Sequence, residues 1–172
     1  MHKNNGHGHG HGHPGQNPHK KNTNDTLRLV AWETTRSCNL ACKHCRAAAN
    51  MGPYEGELDT KASKKLLDEI REVGQAIVIL TGGEPLLRPD IFELAKYGTD
   101  IGLRMVMAPN GTMITKENAI KMVDSGIKRI SISIDGYEKE FHDDFRGVKG
   151  AFDGAMNGIS IAKEVGLEFQ IN

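Results

Sequence analysis

Short apolar runs alternate with segments of helical periodicity from Leu27 to the last residue, and no other feature limits the fold as strongly. "LRLVAWET" reads as a first strand and "AIVIL" as a second, the latter a continuous apolar run suited to a strand covered on both faces. "LRMVMA", "RISISIDG" and "LEFQIN" read as three more. Between the first two lies "TKASKKLLDEIREVG", where Ala62, Leu66, Ile70 and Val73 recur at helical spacing. Asp59 or Thr60 can cap its start, and Gly74 can end it. Pro89 fits the first turn of a helix through about Tyr97, and Thr115 can cap one that stops at Gly126. Strands alternating with helices require parallel pairing through crossovers, so the fold class is α/β. In "RISISIDG" the isoleucines point one way and Ser131, Ser133 and Asp135 the other; "LEFQIN" repeats the pattern. If the isoleucines pack under helices, a polar set faces the inside of a curved sheet and lines a cavity. An open sheet with one wet face is the blander alternative.

The unusual residues follow the strands. After the first comes "TTRSCNLACKHCRAAA", which holds every cysteine of the chain: Cys38, Cys42 and Cys45. "TGGEP" follows the second strand, "APNGT" the third and "SIDG" the fourth. Ligand sites of parallel strand–helix folds lie at the carboxyl ends of the strands, so these loops share one rim. In "TGGEP", Gly82 and Gly83 let the backbone approach a ligand, Glu84 offers an acceptor for a cationic group such as an amine, and Pro85 stiffens the exit. A phosphate loop is excluded, because an acid stands where a phosphate needs a base. "APNG" and "SIDG" taken singly are ordinary turn chemistry.

Three cysteines cannot all pair within one chain, and clustered thiols suit a metal or redox site better than a disulfide framework. Zinc wants a fourth ligand, and neither His44 nor His142 is well placed for it. A redox pair of Cys42 and Cys45 leaves Cys38 unexplained. Three thiolates on a cubane leave one iron open for chemistry.

"CNLACKHC" together with "TGGEP" resembles the radical S-adenosylmethionine (SAM) superfamily, with His44 at a position that is usually aromatic. The resemblance covers residues 27–172 and implies a partial, TIM-like (β/α)6 barrel, here truncated after about five strands and four helices. It also implies that Cys38, Cys42 and Cys45 hold a [4Fe–4S] cluster whose fourth iron is chelated by SAM. One-electron cleavage of SAM then yields a 5′-deoxyadenosyl radical. Gly82, Gly83, Glu84 and Pro85 would form the loop at the methionine end, Ser133 and Asp135 would lie near the ribose, and Asn110 is a further candidate. Arg146, in "HDDFRGVKGAF", resembles a basic position that meets the SAM carboxylate; otherwise it is a solvated surface charge. No catalytic residue is assigned.

"RLVAWETTRSCNLACKHCRAAA" looks like the branch that remodels tetrapyrrole side chains in haem biosynthesis, by oxidoreductase or decarboxylase chemistry. The same pattern also resembles peptide-modifying maturases with SPASM or twitch domains. A non-catalytic iron–sulfur or zinc module is a third reading. The resemblance implies a tetrapyrrole or peptide substrate and a reducing donor such as flavodoxin or ferredoxin.

Lys plus Arg equals Asp plus Glu at 22 each, which gives no reason to expect nucleic acid as a partner. With no apolar run long enough for a bilayer, and no apolar core of a signal peptide, we expect a cytoplasmic protein without a membrane partner. Residues 1–26, with histidines alternating with glycine, read as a disordered tail able to bind metals weakly. Residues 27–172 read as a radical SAM core that is incomplete at its carboxyl end, because the chain stops on a strand.

Overall fold

The structure is a computed structural model and describes residues 26–172; the expected His/Gly tail, apart from Thr26, lies outside them. Strands β1 (Leu29–Thr35), β2 (Ile77–Gly82), β3 (Arg104–Met107), β4 (Ile130–Ile132) and β5 (Phe169–Ile171) form one parallel sheet in chain order. The helices are α1 (Thr60–Val73), α2 (Ile91–Asp100), α3 (Lys116–Asp124), α4 (Lys139–Arg146) and α5 (Ala151–Glu164). A parallel sheet in sequential order with helical connections is consistent with a segment of a barrel, as the family resemblance implies. Among the described residues no helix is long and apolar enough to cross a membrane.

Alternation along the strands sorts side chains to two faces. Val78, Leu80, Met105, Met107, Ile130 and Ile132 are fully buried and form the core with Leu67, Ile91, Leu94, Ala119, Met122 and Ala155 from the helices. Ile77, Ile79, Thr81, Arg104, Val106 and Ser131 face a cleft on the other side. That inner face is therefore mixed rather than polar throughout. Apolar residues occupy it on β2 and β3, and the expected polar set appears at Ser131, Gln170 and Asn172.

The caps fall where the sequence puts them. Asp59 accepts from Ala62 N at 2.7 Å, Thr115 accepts from Asn118 N at 3.1 Å, and Gly74 N donates to Ile70 O. Four details differ. The buried stripe of α1 is Ser63, Leu67 and Ile70, turned one residue from the expected Ala62–Leu66 line, and Val73 is exposed. A buried serine is tolerated because the Arg88 guanidinium donates to its hydroxyl at 2.9 Å. Pro89 precedes α2 rather than sitting in its first turn, and the helix runs from Ile91 to Asp100. β4 ends at Ile132, so Ser133 and Asp135 leave the strand alternation. Finally α4, an additional helix, makes five α-helices among the described residues where four are expected.

Candidate functional site

A cleft of about 930 Å³ runs along the inner face of the sheet, from Ile77 and Arg104 at the strand starts to the cysteine loop at the carboxyl ends. Cys38, Cys42, Cys45, Gly82, Gly83, Asn110 and Arg146 all line it, so the fold gathers most of the sequence candidates into one place. Pro85 is buried behind the rim as the first residue of a 3-10 turn, Pro85–Leu87. Ser133 and Asp135 do not line the cleft.

The paired glycines serve the cysteine loop first. Gly83 N donates to Thr35 O at 2.7 Å and Glu84 N to Ser37 O at 2.8 Å, which carries the β1–β2 pairing past the strand ends. A Cβ on Gly83 would come within 2.3 Å of Ser37 O, and one on Gly82, whose φ is +125°, within 2.3 Å of Thr35 O. Only glycine lets the two loops touch this closely. Glu57 supports the same turn, accepting from Thr35 Oγ1 at 2.9 Å and Arg36 N at 2.7 Å.

Glu84 differs from its expected role as an open acceptor on the rim. Its carboxylate is fully buried beneath the rim, accepting from Leu86 N at 3.0 Å and Asn110 N at 2.7 Å. Burial pushes its pKa up to about 7, although the two N–H donors act against the shift. Glu84 thus ties the β2 exit to the β3 exit. Asn110 continues the link, donating to Asn39 Oδ1 and accepting from Thr112 N, while Asn39 donates to Thr112 Oγ1. Asn39 and Thr112 carried no signal in the sequence beyond their neighbourhood.

The far side of the cysteine loop rests on the end of α4. Ala41 N donates to Arg146 O at 3.0 Å and Lys43 N to Phe145 O at 2.9 Å, using carbonyls that a helix end leaves free. His44 stacks on Phe145, with centroids 4.5 Å apart and planes 13° apart. Arg146 is buried, which overturns the reading of a solvated charge. Its guanidinium grips Asp135 in a fork (Nε–Oδ2 2.5 Å, Nη2–Oδ1 3.1 Å), and Nη2 also reaches Ser133 O at 3.3 Å. That fork explains why Ser133 and Asp135 are drawn off the cleft wall. Buried His142 accepts from Asp135 N at 3.2 Å, and burial lowers its pKa, which favours the neutral ring. Burial raises the Cys38 thiol, with smaller opposing help from Leu40 N–H.

The radical SAM superfamily model matches residues 32–172. The chain belongs to the radical SAM superfamily. This radical SAM chain is 57% identical over 145 residues to the AdoMet-dependent heme synthase of Oleidesulfovibrio alaskensis, covering 84% of this chain and 37% of the relative. It is 50% identical to the protein of the same description from Methanosarcina barkeri, covering 84% and 42%. It is 36% identical to a mycofactocin maturase of Mycobacterium tuberculosis, covering 78% and 34%. The chain thus spans about two fifths of the length of the haem synthases it matches. Among solved structures, Streptococcus suis SuiB bound to S-adenosylmethionine superposes with a TM-score of 0.69 at 20% identity, covering 86% of this chain and 33% of that one. That likeness shows the fold.

The cofactors of the superfamily are a [4Fe–4S] cluster and SAM, and the donor set of the radical SAM chain fits them. All three cysteines are free thiols on the cleft wall. Among the described residues no three His, Cys, Asp or Glu side chains converge on a point that could hold one metal ion. A cubane presents its irons at separate corners, so thiolates that hold one need not converge on a single point. Beside them the Gly82–Gly83 rim opens its backbone to the cleft, as an amino-acid ligand requires.

Proposed function

We propose that this chain carries the cofactor-binding part of an enzyme that reductively cleaves SAM and remodels tetrapyrrole side chains in haem biosynthesis. The carrying observation is the convergence of three thiols and a glycine rim on one cleft at the carboxyl ends of parallel strands. In this reading Cys38, Cys42 and Cys45 hold the cluster, and Gly82 and Gly83 meet the methionine end of SAM through their backbone. Glu84 and Asn110 keep that rim in register from beneath. Asp135 and Ser133 support the wall through Arg146 rather than contacting the ribose. When bound, the cluster and SAM supply one-electron chemistry and a carbon radical for hydrogen abstraction.

A tetrapyrrole suits the inner face better than a peptide does. Ile77, Ile79 and Val106 offer an apolar floor to a flat macrocycle, and Arg104 and Arg129 offer partners for its carboxylates. The similarity to proteins described as haem synthases supports the same choice. The electron comes from a low-potential donor such as flavodoxin or ferredoxin, and a cytoplasmic setting keeps the free thiols reduced.

The test is anaerobic reconstitution of the full-length enzyme, followed by iron and sulfide analysis. Dithionite should then convert SAM to methionine and 5′-deoxyadenosine, and an iron tetrapyrrole bearing propionates should lose mass from those side chains. Stoichiometric zinc without sulfide would point to a non-catalytic module. Modification of a peptide with no effect on the tetrapyrrole would point to a maturase.

A further inference from the structure

Arg146 is the one cation that touches both the backbone and a sulfur of the cysteine loop among the hydrogen bonds of the described residues. Its carbonyl accepts from Ala41 N at 3.0 Å. Its Nε and Nη2 are committed to Asp135, and Nη2 also to Ser133 O. The remaining nitrogen, Nη1, lies 3.7 Å from Cys42 Sγ, within reach of an N–H···S hydrogen bond. The guanidinium has five N–H donors in a fixed plane, so fixing one edge on Asp135 aims the other edge at the sulfur.

We propose that Arg146 is a positioning residue that orients Cys42 and tunes the cluster by donating an N–H to its sulfur, with Asp135 as the anchor that aims it. The inference rests on the reading of Cys42 as a cluster ligand. A hydrogen bond to a ligating sulfur favours the form carrying more negative charge, here the reduced one. Asp135 offsets the charge of the guanidinium, so the directed N–H, rather than a net positive field, is what the sulfur meets. Lysine cannot replace this, since an ammonium near Asp135 has no second edge to present to Cys42.

The experiment compares the reconstituted full-length enzyme with its Arg146→Lys and Arg146→Met variants by iron and sulfide content and by spectroscopic redox titration. Both variants should keep the parent's cluster content and show a more negative midpoint potential. The expected size is roughly a tenfold change in the reduction equilibrium, about 59 mV for one electron. Arg146→Lys should shift despite keeping its charge, and a purely electrostatic role would leave it at the parent's potential. Unchanged potentials in both variants with intact clusters overturn the proposal. Loss of the cluster from Arg146→Met alone, with Arg146→Lys at the parent's cluster content and potential, overturns it as well, because a positive charge rather than the directed N–H would then be what the cysteine loop needs. Unfolding of both apo variants overturns it, because Arg146 would then be a framework residue. A parent enzyme that takes up no cluster refutes the ligand reading instead, so the two failures are distinguishable.

Discussion

Glu84 shows how a residue's chemistry is set by where the fold leaves it. An ordinary glutamate titrates near 4.5, and burial takes this one to about 7. Between those values the folded chain holds a proton that the unfolded chain has released. Its contribution is therefore fully present below about 4.5 and is lost as the pH rises through 7. Thermal melts of the apo chain between pH 6.5 and 8, above the range where His142 with its lowered pKa adds the opposite slope, should show a melting temperature that falls with rising pH, and Glu84→Gln should flatten that fall. An equal slope in the variant would show that Glu84 does not titrate in this window. The three cysteines make the second residue-scale prediction. Cys38→Ala, Cys42→Ala and Cys45→Ala should each lose the cluster on reconstitution, measured as iron and sulfide per chain, because in the proposed reading each thiolate would hold its own iron. Retention of the full cluster by any one of them would remove that cysteine from the ligand set.

At the scale of elements, the cysteine loop has no regular structure of its own and borrows order from two neighbours, the β2 exit and the end of α4. Gly83 and Gly147 are the contact points. A Cβ on Gly83 would meet Ser37 O at 2.3 Å, and one on Gly147, at φ +70°, would meet Ala41 O at 2.4 Å. Gly83→Ala should destabilise the chain by about 1–3 kcal/mol through overpacking. Gly147→Ala should cost at least about 1 kcal/mol from its backbone angle alone. Gly150 is the control: its φ is +88°, but nothing lies within 4 Å of an added Cβ. Gly150→Ala should lower stability in urea yet leave cluster uptake as in the parent, whereas Gly83→Ala and Gly147→Ala should lower both. Equal cluster uptake in all three would mean that the loop does not depend on these contacts.

Across the whole molecule the sheet divides two environments. Its outer face is a closed apolar layer, and its inner face is a cleft floor where Ile79 stays partly exposed while Leu80, the next residue, is fully buried. Leu80→Ala should therefore cost about 2–5 kcal/mol of unfolding free energy. Ile79→Ala should cost less, about 1–2 kcal/mol, since part of its surface still meets the cleft and the site can relax into it. Denaturant unfolding of the two variants checks this. Similar losses would mean that the inner face is packed as a core and is not a binding surface.

Local residue patterns suffice for the parallel α/β order, the caps at Asp59, Gly74 and Thr115, and the rim on which the cysteines and "TGGEP" meet. Each of these is a local signal: apolar periodicity, a capping oxygen or a flexible glycine acts within a few residues of itself. Tertiary structure alone decided the roles of Glu84, Arg146, Asp135 and Asn39, which depend on partners far along the chain. In the sequence Arg146 is a partner for a SAM carboxylate by resemblance or else a solvated charge, and its ties to Asp135 and Cys42 exist only in the folded chain. The same reason hid α4, whose buried residues His142 and Arg146 are both polar, while its apolar pair, Phe141 and Phe145, lies outside the core. Its face is satisfied by hydrogen bonds to Asp135 and the cysteine loop, and those exist only once the sheet has brought the loops together.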